Sequence, residues 1–116
     1  MGQYSTLSTM LQIFFSLIIA HAITDVFLQS ERMEVRKTPQ GGGEHWFYWM
    51  LAHSLMNGLG VLLVTGNYIL GIFETFLHFL IDTEKSKGHY GVHVDQSYHL
   101  ICKLLWLLVT LQLPTT

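Results

Sequence analysis

FETFLHFLIDTEKSK, residues 73–87, sets Glu74, His78 and Asp82 four residues apart inside an otherwise apolar run. At an advance of about 100° per residue, a helix gathers these side chains within an arc of about 80°, and Lys85 falls back into it. The other faces carry Phe73, Phe76, Leu77, Phe79, Leu80 and Ile81, groups that favour hydrocarbon or a packed core. Ionisable groups in such surroundings are costly unless compensated, so the compensation must come from the rest of the chain.

Half of the 116 residues are hydrophobic and 12% are charged, too few charges to cover a soluble surface. The length suits one domain with one core, and 1–116 reads as a single transmembrane domain. Six Lys and Arg against eight Asp and Glu exclude the basic footprint of a nucleic-acid binder. The single Cys102 cannot form an intrachain disulfide and reads as a small buried residue. No Lys or Arg precedes the first apolar run, which is also longer than a signal-peptide core, so it reads as a retained membrane helix.

Working outward from the stripe, the pattern predicts helices over roughly 7–29, 46–65, 68–87 and 94–113. Residues 7–28 hold only His21 and Asp25 as ionisable members, long enough to span a hydrocarbon core of about 30 Å. Residues 29–45, with Pro39 and Gly41-Gly42-Gly43, read as a polar loop, and Trp46, Phe47, Tyr48 and Trp49 as an interfacial anchor. Gly66-Asn67 reads as a tight turn, residues 88–93 as a short loop, and Pro114 as the end of the last helix. Short connections between apolar helices give an all-α, polytopic four-helix transmembrane bundle of up-down topology in a lipid bilayer. Arg32, Arg36 and Lys37 in the first loop and Lys85 and Lys87 beside the third place both loops in the cytoplasm and both termini outside.

Each span carries a polar pair spaced i, i+4: His21 with Asp25, His53 with Asn57, His78 with Asp82, and Asp95 with His99. At about 1.5 Å per residue, His21 and His53 both lie roughly 10–12 Å from the first-loop face, and the other pairs flank the third loop on the same side. The spacing suits two ligands of one metal, or a ligand and the group that orients it. His21, Asp25, His53, His78, Asp82, Asp95 and His99 are thus candidate metal ligands, with zinc first and iron or manganese next; the lack of thiolates argues against copper(I) or an iron–sulfur cluster. Single polar residues in membrane helices often only hydrogen-bond across an interface, but four pairs at one depth favour an ion or substrate site over a structural network. His45, His89 and His93 read as solvated loop residues, Glu84 as interfacial, and Lys103 as snorkelling, paired with Glu74 or serving as a site cation.

His21-x3-Asp25-x-Phe27-Leu28-Gln29, His53, His78-Phe-x-Ile-Asp82-x2-Lys85 and Asp95-Gln96-x2-His99 together resemble the DUF3307 family, small membrane proteins of bacteria and their phages. The resemblance runs in order over nearly the whole chain. It implies a multi-pass protein of the bacterial inner membrane and no established activity; the likeness to membrane-bound metal-dependent hydrolases is one of analogy. Family members often carry a longer second half, so this chain is expected to be the membrane unit alone.

The first functional expectation is a metal-dependent hydrolase acting on a phosphoester or lipid-linked substrate, with Glu74 as general base and Lys85, with Lys87 or Arg32 at the rim, attracting the anionic group. The alternative is a non-enzymatic binding protein whose metal or hydrogen-bonded polar core locks the helices together, acting as a homo-oligomer or engaging a host membrane protein. Ion transport ranks last, because residues 59–64 and 104–109 offer almost no polar path through the outer half. Seven or eight candidate ligands leave one metal or two as open choices.

Overall fold

Gly66 and Asn67 define the central hairpin of the computed structural model, which describes residues 3–112. Gly66 adopts φ 69° and donates its backbone N–H to Leu62 O, closing the preceding helix in the left-handed conformation that glycine adopts at little cost. Asn67 Oδ1 then accepts from Ile69 N and Leu70 N, capping the next helix. Among the described residues the secondary structure is entirely helical: α1 (Gln3–His21) continuing into a π-helical segment (Ala22–Phe27), α2 (Glu31–Arg36), α3 (Pro39–Gly42), a 3₁₀ turn (Gly43–His45), α4 (Trp46–Thr65), α5 (Tyr68–Ser86) and α6 (Val92–Gln112).

The two helices joined at Gly66-Asn67 match their expected spans, 46–65 and 68–87, to within one residue. The first helix begins earlier than expected and ends in a π turn, and α6 begins two residues earlier; Pro114 lies outside the described residues. The expected first loop is instead partly helical. Ser30 Oγ accepts from Met33 N to cap α2, and Thr38 Oγ1 accepts from Gly41 N to cap α3, whose first residue is Pro39. A cap residue followed by proline is a helix start that composition alone reads as a turn.

The long helices pack in a ring in which α4 touches α5 and α1, and α6 touches α1 and α5. Neighbours pair in opposite order: Phe47 with Phe79 and Gly58 with Gly71 for α4 and α5, Asp25 with His53 and Ala20 with Gly60 for the first helix and α4, Asp82 with His99 and Phe73 with Trp106 for α5 and α6. The α4–α5 seam is close. A Cβ on Gly58 would lie 2.0 Å from Thr75 Oγ1 and 2.6 Å from Gly71 O. Gly58→Ala is therefore expected to cost about 1–3 kcal/mol by overpacking, read as a lowered unfolding midpoint in detergent, whereas Gly60→Ala, whose nearest neighbour would be Thr24 Cγ2 at 3.4 Å, is expected to be near neutral.

The interior is divided along its length. Leu17, Val61, Leu70, Trp106 and Leu107 fill the half nearer the α4–α5 turn, and Asp25, His53, His78, Asp82, Asp95 and His99 fill the other. Large apolar side chains face outward on every long helix: Leu63 is 74% and Ile72 66% exposed, while Glu74 and His78 are wholly buried. Two stretches, Thr6–Phe27 and Pro39–Thr65, are long and apolar enough to cross a membrane; α5 and α6 do not meet that measure by length and composition.

Candidate metal centre

Asp25 and Asp82 are the hubs of the polar half. On α5, Glu74, His78 and Asp82 lie on the inward face as their spacing requires, and all three are buried. His53 projects from α4, Asp95 and His99 from α6, and Asp25 from the π turn, closed by the bond from Leu28 N to Ile23 O. Such turns widen a helix locally and recur at functional sites.

His53 Nε2 lies 2.9 Å from Asp25 Oδ1 and 3.3 Å from Asp82 Oδ2. His78 Nε2 lies 3.2 Å from the same Asp25 oxygen and 3.3 Å from the same Asp82 oxygen. Two imidazole nitrogens and two carboxylate oxygens thus alternate around one point, all within 4.8 Å of one another. Four ligands at about 2.0–2.1 Å from a tetrahedral zinc are separated by about 3.3 Å. The donor set, two neutral nitrogens and two hard oxygens, suits zinc, iron(II) or manganese. His78 supplies a further observation: its ring is buried, and among the described residues neither Nδ1 nor Nε2 has a hydrogen-bond partner. Buried polar atoms are rarely left this way. Its Nε2 is aimed between two carboxylates, bonding properly to neither, as a ligand nitrogen would be.

The network continues toward α6. Asp82 Oδ1 lies 2.9 Å from His99 Nε2, which is 3.4 Å from Asp95 Oδ1. Gln96 Nε2 donates to Asp25 Oδ2 at 3.0 Å and to Asp95 Oδ2 at 3.2 Å, and its Oε1 meets His21 Nε2 at 2.9 Å. His21 is 3.6 Å from Asp25, so it bears on the cluster chiefly through Gln96. The imidazoles of His78 and His99 stack, with centroids 4.2 Å apart.

The expected residues are only partly brought together. Asn57 turns away from the cluster: it accepts from Thr24 Oγ1 and donates to His53 O, tying α4 to the first helix. Glu74 is held by Lys103, which is buried against it, and accepts from Trp106 Nε1 at 3.4 Å. It forms an ion pair separate from the cluster. Lys85 is half-buried near the end of α5, and among the described residues no hydrogen bond or ion pair links its side chain to the site. The cation in the site is Lys37, whose Nζ donates to Asp82 Oδ2 at 2.7 Å from the segment between α2 and α3. That segment is pinned to α4 by Arg32 and Arg36, whose guanidinium carbons lie 5.9 and 5.8 Å from the Trp49 ring centroid. Beside the third connection, burial pushes the Tyr90 phenol up to about 12, and its hydroxyl donates to Ile81 O. Glu84 pairs with Lys87 and His89 at the same end.

Compared with known proteins, residues 13–115 match the family described as Protein of unknown function (DUF3307). No curated protein and no solved structure matches the chain.

Proposed function

The chain belongs to the DUF3307 family, whose description carries no activity across, and from the site itself we propose a multi-pass bacterial inner-membrane protein that holds a divalent metal, zinc first, in the cytoplasmic half of an up-down four-helix transmembrane bundle. We read that centre as a metal-dependent hydrolase of phosphoester or lipid-linked substrates. The membrane reading rests on an inside-out side-chain distribution: the helices turn carboxylates, imidazoles and Lys103 inward and leucine, isoleucine and phenylalanine outward. That arrangement is favourable when hydrocarbon surrounds the bundle. The cations Arg32, Arg36, Lys37, Lys85 and Lys87 lie in or beside the connections at one end, which supports a cytoplasmic face there.

The observation that carries the metal reading is the approach of His53 and His78 to the same two carboxylate oxygens at 2.9–3.3 Å. A divalent cation there would supply Lewis-acid polarisation, and an activated water where a coordination place stays open. The chain's own contribution is to hold two imidazoles and two carboxylates in place and to keep the site dry. Gln96 orients Asp25 through its free oxygen. Lys37 takes the part expected of Lys85: it enters from the loop side, and its ammonium is placed to receive an anionic group when Asp82 turns to a metal. Glu74, committed to Lys103, supports the bundle rather than serving as a base.

The test is hydrolysis of a phosphomonoester by the zinc-loaded, detergent-purified protein. Turnover that disappears in His78→Ala supports the hydrolase. In Lys37→Met, one lost charge-assisted hydrogen bond of about 1.5–3 kcal/mol corresponds to a KM about 10–150-fold higher at unchanged metal content; an unchanged KM would remove Lys37 from substrate binding. A metal-loaded protein without turnover would favour the second reading, a structural metal in a binding protein that acts as a homo-oligomer or on a host membrane protein. One observation favours that reading: Asp25, His53, His78 and Asp82 are all buried and supply four ligands, a closed set.

A further inference from the structure

Asp82 faces two groups of ligands with its two oxygens. Oδ2 lies 3.3 Å from both His53 and His78, and Oδ1, its other oxygen, lies 2.9 Å from His99, whose ring stacks on that of His78. Beyond His99, Asp95 Oδ1 is buried and among the described residues has no hydrogen-bond partner, although it lies 3.4 Å from His99 Nε2. A single imidazole proton cannot satisfy both carboxylates that this nitrogen faces. Donor atoms of Asp82, Asp95 and His99 fall within 4.8 Å of one another, as do those of the first group.

We infer that a second divalent cation binds between Asp82, Asp95 and His99, with Asp82 as the carboxylate shared by the two positions. The inference rests on reading the first group as a metal centre and assigns the two positions different work. The first has four protein ligands and is closed, whereas the second has three and keeps a coordination place for substrate or water. A carboxylate bridging through both oxygens suits the separation of about 3.5–4 Å found in two-metal hydrolytic sites.

Charge points to the substrate class. With neutral imidazoles, Asp25, Asp82 and Asp95 against Lys37 leave the buried cluster two negative charges. One divalent cation cancels them; a second leaves two positive charges, the complement of a phosphomonoester dianion. A singly occupied centre would have no such call for an anion. The two-metal form therefore binds the phosphate group more tightly than the one-metal form.

The experiment uses the full chain in detergent, stripped with chelator, reloaded with Mn²⁺ and desalted, with metal counted by elemental analysis and the bound ion examined by electron paramagnetic resonance. Two Mn²⁺ per chain with a spin-coupled spectrum are expected in the wild type, and one uncoupled Mn²⁺ in Asp95→Asn. Inorganic phosphate is expected to bind the wild type at least tenfold more tightly than Asp95→Asn. One uncoupled Mn²⁺ in the wild type overturns the second position and leaves the first standing, as does an Asp95→Asn protein that still holds two. A wild type that takes up no Mn²⁺, Zn²⁺ or Fe²⁺ overturns the first centre and the second with it. The wild-type spectrum decides the matter even if the variant does not fold.

Discussion

Asp82→Ala is expected to lower affinity for the divalent metal by well over 100-fold, since loss of a group that merely orients a ligand already costs about 10–100-fold. Asp82 is the residue on which the site converges: it bonds Lys37 at 2.7 Å and His99 at 2.9 Å and lies 3.3 Å from both His53 and His78. Its removal deletes a donor from both groups of ligands and leaves the Lys37 ammonium without its counter-ion. Helix content is expected to survive, because the apolar half around Leu17, Val61, Leu70 and Trp106 lies apart from the cluster. Isothermal titration with Zn²⁺ alongside far-UV circular dichroism measures both quantities. Wild-type affinity in the variant would remove Asp82 from the centre.

The second large effect is expected beneath the cluster, at Lys103. Both Lys103 and Glu74 are almost wholly buried, and each is the other's charge partner, with the Trp106 indole donating to the second carboxylate oxygen. Lys103→Met would leave a carboxylate in an apolar interior, a change that costs about 3–5 kcal/mol when one partner of a buried pair is removed. Replacing both residues, Glu74→Leu with Lys103→Met, removes the isolated charge and is expected to recover most of that loss. Unfolding midpoints of the single and double variants in the same detergent measure the coupling directly. Equal destabilisation in both would show that packing volume, rather than charge, sets the cost.

These two regions show how far the sequence was legible. The boundaries of α4 and α5 followed from Gly66-Asn67 because the turn chemistry is local: glycine supplies the left-handed cap and asparagine the side-chain acceptor. The inward stripe of α5 was equally readable, since spacing by four fixes a common face whatever packs against it. Which groups meet across that face was not. The i, i+4 pairs suggested ligands shared within a helix, yet the short approaches of His53 run to Asp25 on the first helix and Asp82 on α5, and His99 reaches Asp82. Asn57 shared the spacing of its counterparts but spends its amide on His53 O and its oxygen on Thr24.

Lys37 rather than Lys85 contacts the cluster, for a physical reason. Lys85 lies in the same helical arc as His78 but in the last turn of α5, where the side chain is half-buried at the bundle end. Lys37 belongs to no periodic pattern. Its long stem is carried over Asp82 by the short helices α2 and α3, whose caps at Ser30 and Thr38 were the local signals that this segment folds. Gln96 was visible beside Asp95 only as part of the family pattern, and its bridge between His21 and Asp25 is a tertiary fact.

The metal content of the detergent-purified protein, measured by elemental analysis before and after reloading with zinc and set beside His78→Ala, decides whether the buried His and Asp side chains hold a metal. His78 Nε2 lies 3.2–3.3 Å from both hub carboxylates and among the described residues makes no hydrogen bond of its own. At least one divalent metal per chain is expected in the wild type, with most of it lost in His78→Ala. A wild type that remains metal-free after reloading, or a variant that holds as much metal as the wild type, would contradict a metal centre built on His53, His78, Asp25 and Asp82.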